Sequence, residues 1–347
     1  MSTYQTSPIT SQIEPLLPAV AKKAFGIGVS LILPKKNLWG FYAHSEGAIA
    51  GAVYLKTVGP GEGCLEWIFV DPAAQGHKLG SRLFRAGIDA LYEAGLSKII
   101  TLVRGSNTAS WGMFAKEGFV KPSVVHTLTN YSWQSLPTRI GYHLASGYNI
   151  WIKDPTIQQP MHLTRFGLLK TIGFAVVIGL ALSLFGLRGG DTLWIATATL
   201  VGVTGMRMLI EYLLARSYGP LRWNAPQGGT LLSVFIALMG SWWPTFGHFS
   251  PKEDIYRDSD YATAMVRSRF ATWLFHIITY IAVAILNPTL FVSGYGFLLG
   301  FVLAVQSFPF FPMDDFDGGR VYAYNKPLYF VGLLLTVGAF LGGMILL

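Results

Sequence analysis

Residues 69–83, FVDPAAQGHKLGSRL, hold the first group able to do chemistry. Phe69 and Val70 end an apolar run, Asp71 and Pro72 break it, and Gln75-Gly76-His77-Lys78-Leu79-Gly80 leads into an amphipathic stretch. The first-turn amides of a helix lack internal partners and sit at the positive end of its dipole, so a phosphate placed there satisfies both. The spacing predicts a strand, a tight loop and a helix start built as a pyrophosphate seat. A second group lies in an apolar segment, where RMLIEYLLARSYG puts Arg207 and Glu211 four residues apart on one helix face. Charges in hydrocarbon are costly unless paired, and a later apolar segment ends in QSFPFFPMDDFDGGRVYAYN, with Asp314 and Asp317 as partners in reach.

The elements that must position the loop follow from periodicity. Residues 13–25 read as a helix, and 39–43 and 48–57 as strands of a hairpin turned at Glu46-Gly47. Residues 64–70 form the next strand, whose alternation puts Leu65, Trp67 and Phe69 on one face and Glu66, Ile68 and Val70 on the other, with Glu66 its only charge. From His77 the apolar positions Leu79, Leu83, Phe84, Ile88, Leu91 and Tyr92 keep helical spacing until Gly95 ends the helix. A strand at 98–104, a short helix at 108–116 and a final strand at 124–133 complete this half.

The chain has 347 residues, enough for two domains, and its composition divides near residue 160. Mixed charged and apolar segments precede that point; apolar runs of about 20 residues follow, each long enough to cross a ~30 Å hydrocarbon core. Cys64 is the only cysteine, which excludes an intrachain disulfide and a thiolate metal cluster. The net charge of +8 comes from basic residues gathered beside the apolar runs, so an orientation bias, not nucleic-acid binding, is the expected cause. Residues 1–17 have no basic segment followed by an apolar one, so no signal peptide is expected and the first half should stay in the cytoplasm.

Residues 136–160 carry Pro137, Pro155 and Pro160 and are expected to be a connector, with 140–151 at a membrane surface. The expected spans are 166–187, 192–215, 270–286, 290–311 and 328–347. Residues 231–246 lie between Arg222 and Lys252, and as a re-entrant hairpin they leave both basic flanks inside. Five crossings then leave Lys153, Arg165, Lys170, Arg216, Arg257, Arg267, Arg269, Arg320 and Lys326 inside as well, with only Arg188 outside. The N-terminus is thus expected in the cytoplasm and the C-terminus outside. A reporter fused after Leu347 that proved cytoplasmic would overturn this topology.

The loop of residues 69–83 resembles motif A of the GNAT superfamily of acetyl-CoA-dependent N-acetyltransferases, a (Gln/Arg)-x-x-Gly-x-(Gly/Ala) loop after a V-x-P strand end. Gln75 and Gly80 fit, while Lys78 stands where the middle glycine belongs. Residues 107–119, NTASWGMFAKEGF, resemble the family's second signature, with Phe114 where the family often has a tyrosine. The resemblance, over residues 8–135, implies an α/β GNAT fold in which strands splay around the pantetheine arm. It implies that amides of Gly76, His77, Lys78, Leu79, Gly80 and Ser81 hold the pyrophosphate of acetyl-CoA, that the Val70 main chain meets the pantetheine, and that Asn107 faces the cofactor. Glu66 lies where some members keep a general base; a solvated strand carboxylate is the other reading of it.

The segment from Arg207 to Gly219 is similar in frame to the HExxHxxxAxxxG helix of intramembrane site-2 proteases, and 306–325 resembles that family's N-x-x-P-x-x-P-L-D-G segment. Arg207 and Glu211 replace the two histidines and Met208 the glutamate base, and arginine cannot ligate a metal. No zinc and no proteolysis are therefore expected. Gln306 and Pro309 assign the old ligand position to Asp314, whereas Gly318, Val321 and Asn325 assign it to Asp317. The expectation is that Arg207 takes the place of the metal, bridging Glu211 and Asp314 or Asp317. His276, mid-span, marks a candidate proton or ion position, without a second histidine at ligand spacing.

Together these readings give three parts: 1–135, an acetyl-CoA-binding domain; 136–164, a connector; and 165–347, a site-2-protease-like membrane domain of five spans and a re-entrant hairpin. The implied function is a membrane-anchored acyltransferase moving an acetyl group to an unidentified amine, in a prokaryotic plasma membrane. The alternative is a non-catalytic scaffold or subunit of a membrane complex, built from two degenerate enzyme folds and contacting other membrane proteins.

Overall fold

Alternating apolar residues rich in Val, Ile and aromatics build a six-stranded sheet in the order β1-β2-β3-β4-β5-β6, comprising Gln5–Pro8, Trp39–Ser45, Ala48–Gly59, Glu62–Val70, Lys98–Arg104 and Tyr148–Lys153. In the computed structural model the described residues are 4–25, 39–104, 107–145, 147–157, 167–185, 192–219, 221–224, 229–239, 243, 247–251, 259–309 and 316–345. The chain divides into two compact units, residues 1–103, 110–142 and 150–161 in one and 104–109, 143–149 and 162–347 in the other.

The first four strands are antiparallel and β5 runs parallel to β4. Helix α1 (Leu17–Phe25) covers one sheet face through Leu17, Val20 and Ala21 against Ala52, Tyr54 and Phe69. Helix α2 (Leu79–Glu93) covers the other, burying Leu83, Phe84, Ile88 and Leu91 against Val53, Leu55, Leu65 and Ile99. Gly95, at φ +76°, ends α2 as its C′ residue, a backbone conformation that costs glycine little.

Two expectations for this half are corrected. Residues 124–133 are not a strand: Ser123 caps a short helix α4 (Val124–Thr129) by accepting from the His126 amide, and a 3₁₀ turn at Trp133–Ser135 leads into α5 (Leu136–Leu144). The last strand is instead β6, inside the stretch expected to be a connector on a membrane surface. Val120 and Ile152 exchange backbone hydrogen bonds of 2.8 Å, and Ile150 and Ile152 pack on Ile100. Pairing across more than 30 residues overrode the local pattern, so the sheet runs past residue 135.

The second unit is largely helical. It contains α6 (Gly167–Phe185), α7 (Thr192–Ala215), α8 (Thr230–Leu238), α9 (Ser259–Leu286), a short turn α10 (Pro288–Leu290), a π turn (Phe291–Tyr295), α11 (Gly296–Ser307), α12 (Asp317–Tyr324) and α13 (Lys326–Ile345). Among the described residues three stretches are long and apolar enough to cross a membrane, Thr197–Tyr218, Thr263–Leu286 and Lys326–Ile345; Leu169–Leu182 and Gly296–Ser307 are shorter apolar helices. The segment 290–311, expected to be one span, is divided by the π turn. Short strands β7 (Leu221–Asn224) and β8 (His248–Pro251) pair antiparallel, so the chain leaves and returns to one place around α8. At nine residues α8 is about 14 Å long, too short to cross a bilayer.

Candidate functional site

The loop after β4 is built on Asp71. Its carboxylate accepts from the Ala73 amide at 3.0 Å, closing a 3₁₀ turn over Pro72–Ala74, and lies 3.0 Å from Lys23 Nζ of α1. The amide first, and the Lys23 ammonium second, hold this carboxyl below its ordinary range. Gly76 and Lys78 both have positive φ, +91° and +57°, and Lys78 is the N-cap of α2 in the left-handed conformation. No side chain caps the helix. The amides of Leu79, Gly80 and Ser81 therefore form an uncapped first turn beneath an exposed loop, Gln75 to Lys78. Lys78 keeps a Cβ where a glycine would be unstrained.

Strand β4 differs from the expected simple alternation. Tyr54 faces Trp67 but Leu55 faces Leu65, which leaves Glu66 as an extra residue, a bulge. Leu65, Ile68 and Val70 consequently pack toward α2, whereas Trp67 and Phe69 pack toward α1. The parallel ladder to β5 runs from Glu62↔Lys98 to Leu65↔Thr101, where the Thr101 hydroxyl donates to Leu65 O at 2.8 Å. Beyond that rung β4 is paired to β3 alone among the described residues. The bulged Glu66 therefore stands at the point where the two strands part, and Val70 lies at the far end of the unpaired half, opposite Gly51.

Glu66 is not a simple solvated carboxylate. Its Oε2 accepts from the Tyr142 hydroxyl at 2.8 Å and the Cys64 thiol at 2.9 Å. Burial, then the Glu66 carboxylate, pushes the thiol well above its usual range; burial does the same to the Tyr142 phenol. Phe114 is a core residue, its ring 4.6 Å from Phe84 and 5.0 Å from Phe119, and brings no hydroxyl. Asn107 is exposed just before α3 (Thr108–Lys116) and groups with the other compact unit. The loop residues Gly76, His77, Lys78, Leu79, Gly80 and Ser81 thus come together at the start of α2, and Glu66 and Val70 mark the two ends of the unpaired half of β4. Tyr142 was missed by sequence reasoning, since nothing local signals a contact made across 76 residues.

In the second unit Arg207 donates to both oxygens of Asp317, at 2.5 and 2.7 Å. Thr272 Oγ1 and Arg269 Nη1 also reach Asp317, at 3.0 and 3.2 Å, and Arg269 Nη2 lies 3.5 Å from Glu211 Oε1. All four charged residues are at most 5% exposed. Arg269 and Arg320, both expected on the inner side of the membrane, are buried. Asp314 lies outside the described residues, so of the two aspartates only Asp317 can be followed into this cluster. His276 is buried beside it, with Nδ1 2.7 Å from the Thr272 carbonyl. Among the described residues no three His, Cys, Asp or Glu side chains converge as a metal site.

Comparison with known proteins agrees with the loop and the sheet. Residues 20–119 match the Acetyltransferase (GNAT) family. Mycothiol acetyltransferase from Beutenbergia cavernae is 30% identical over 89 residues, covering 26% of this chain and 30% of that protein. The one from Amycolatopsis mediterranei is 37% identical over 89 residues, covering 23% and 30%. The chain thus spans about a third of the length of the curated relatives it matches. The crystal structure of ribosomal-protein-S18-alanine N-acetyltransferase from Escherichia coli aligns over 45% of this chain and 98% of its own, at 18% identity and a TM-score of 0.34. The residues that match the family model, 20–119, hold most of the six-stranded sheet and the loop before α2.

Proposed function

We propose that the chain is a membrane-anchored acetyltransferase that moves an acetyl group from acetyl-CoA to an amine. The observation that carries the reading is the bulge: Glu66, with a carboxylate, stands where β4 and β5 part, and the uncapped start of α2 lies at the end of the same strand. The amides from Gly76 to Ser81 would hold the pyrophosphate, where a helix N-terminus favours an anion by about 0.3–1 kcal/mol. The Val70 main chain would meet the pantetheine as an added strand does, and Asn107 is proposed to face the cofactor. Glu66 takes a proton from the amine, the nitrogen bonds the thioester carbonyl carbon, the C–S bond breaks with its electron pair going to sulfur, and the thiolate gains a proton from solvent.

The match to proteins named mycothiol acetyltransferase supports the transfer half of this reading. The three long apolar helices support anchoring, with the GNAT domain cytoplasmic. We read the helical half as a site-2-protease-like fold without zinc, in which the Arg207–Asp317 pair occupies the metal's place. The alternative of a non-catalytic scaffold is favoured by the left-handed Lys78, a residue strained in a loop that would have to receive phosphate. The test is acetyl-CoA binding and thiol release by the full chain with a panel of amines. Glu66→Gln is expected to keep binding and lose about 10²- to 10⁴-fold in rate; binding without turnover by the unaltered chain would favour the scaffold.

A further inference from the structure

The insertion between β5 and β6 is fastened to β4 at two carboxylates four residues apart. Near one end, Glu62 Oε1 accepts from the Ser132 amide at 2.6 Å. Near the other, Tyr142 of α5 donates to Glu66 Oε2 at 2.8 Å. Between them Arg139, 1% exposed, locks the turn before α5 by donating to Ser135 Oγ at 3.1 Å and to the carbonyls of Thr127 and Ser132. Tyr142 is one helical turn beyond Arg139, so its hydroxyl is carried by a helix whose start is tied down by bonds from all three guanidinium nitrogens.

At Glu66 three groups form a closed triangle. The Cys64 thiol is 2.9 Å from Oε2 and 2.7 Å from the Tyr142 oxygen, and the phenol is 2.8 Å from the same Oε2. Two protons serve three contacts, and the carboxylate has none to give. Among the described residues the other charged group brought to this triangle is Lys56 of β3, which pairs with Cys64 in register. Both donors stay protonated at neutral pH, because burial raises each well above its ordinary range.

We infer that Tyr142 is a positioning residue for acetyl transfer, acting through Glu66: with Cys64 it holds Oε2, so that Oε1 is the oxygen presented to the acceptor amine. This inference rests on the reading of Glu66 as the base. A phenol donating to one carboxylate oxygen fixes the side-chain rotamer and leaves the other oxygen to accept. The proton leaving the amine goes to Oε1 as the N–C bond forms, and Glu66 later returns it to water.

The experiment uses the full chain and Tyr142→Phe, which removes one oxygen and keeps the ring. Turnover with acetyl-CoA and an accepted amine is measured from pH 5 to 9, beside Glu66→Gln. Tyr142→Phe is expected to leave KM for acetyl-CoA within about 2-fold and to lower kcat about 10-fold. An unchanged kcat in Tyr142→Phe, or a loss seen in KM for acetyl-CoA and not in kcat, while Glu66→Gln is inactive would overturn the inference alone. Full activity of Glu66→Gln, or no turnover by the unaltered chain, would overturn the base reading and the inference with it. A second measurement does not need turnover: Cys64 is the only cysteine, so its labelling by a thiol reagent reports the triangle directly. Labelling should quicken at least several-fold in Tyr142→Phe, and identical rates would count against the triangle.

Discussion

Lys78 gives the most direct test of the loop. Its φ of +57° and ψ of +21° place an L-residue in the left-handed well, at a cost of about 1–2 kcal/mol. Lys78→Gly removes that strain but gives the unfolded chain more freedom, which returns about 0.4–1 kcal/mol. The net is a stabilisation of up to about 1.6 kcal/mol, centred near about 0.8 kcal/mol, which for a domain of this size raises the melting temperature by about 2–3 °C at that central value. Lys78→Ala keeps the Cβ and loses the charge, so it should show no gain in stability. The two substitutions should weaken acetyl-CoA binding alike, by at most about 5-fold, since an exposed ion pair contributes about 0.2–1 kcal/mol, and added salt should shrink the loss. Thermal unfolding of the full chain in detergent and titration with acetyl-CoA read both effects. If Lys78→Gly melts at or below the unaltered chain, no left-handed strain is stored at Lys78.

Two further outcomes follow from the buried and half-buried charges. Arg207→Leu leaves Asp317 and Glu211 with Arg269 as their remaining guanidinium, and breaking a buried pair costs about 3–5 kcal/mol. Its melting temperature should fall far more than that of Lys170→Leu, an exposed cation on α6; equal values would refute the pairing. Asp71 titrates below its ordinary range when folded, so its contribution is fully present above about pH 4 and is lost as pH falls through the folded value. Unfolding curves of the unaltered chain and Asp71→Asn should therefore stay apart above about pH 4 and converge as the pH is lowered further, and curves that stay parallel would show that the carboxylate's charge is not used.

The sequence by itself determined what depends on neighbours within a turn or a strand. The hairpin at Glu46-Gly47, the strand 98–104, the helix 108–116, the end of α2 at Gly95 and the whole of α7 are local matters of period, turn chemistry and apolar length, and each has the expected bounds or close to them. The strand end, turn and helix start of residues 69–83 were legible for the same reason, since a strand end, a breaker and an amphipathic helix lie in fifteen consecutive residues. That Arg207 cannot ligate a metal could likewise be read from residue chemistry.

Only the tertiary structure decided what depends on partners far along the chain. Local signals in 124–133 and 140–151 could not reveal that Tyr148–Lys153 closes the sheet, because its pairing is made across the insertion. The bulge at Glu66 arises from the register against β3, and one extra residue moved Leu65 to the face opposite Trp67 and Phe69. Tyr142 reaches Glu66 across 76 residues, and Arg269 reaches Asp317 across 48, distances at which no periodicity carries information. A side chain's identity fixes which bonds it can make; the fold fixes whether the other half of the bond is there.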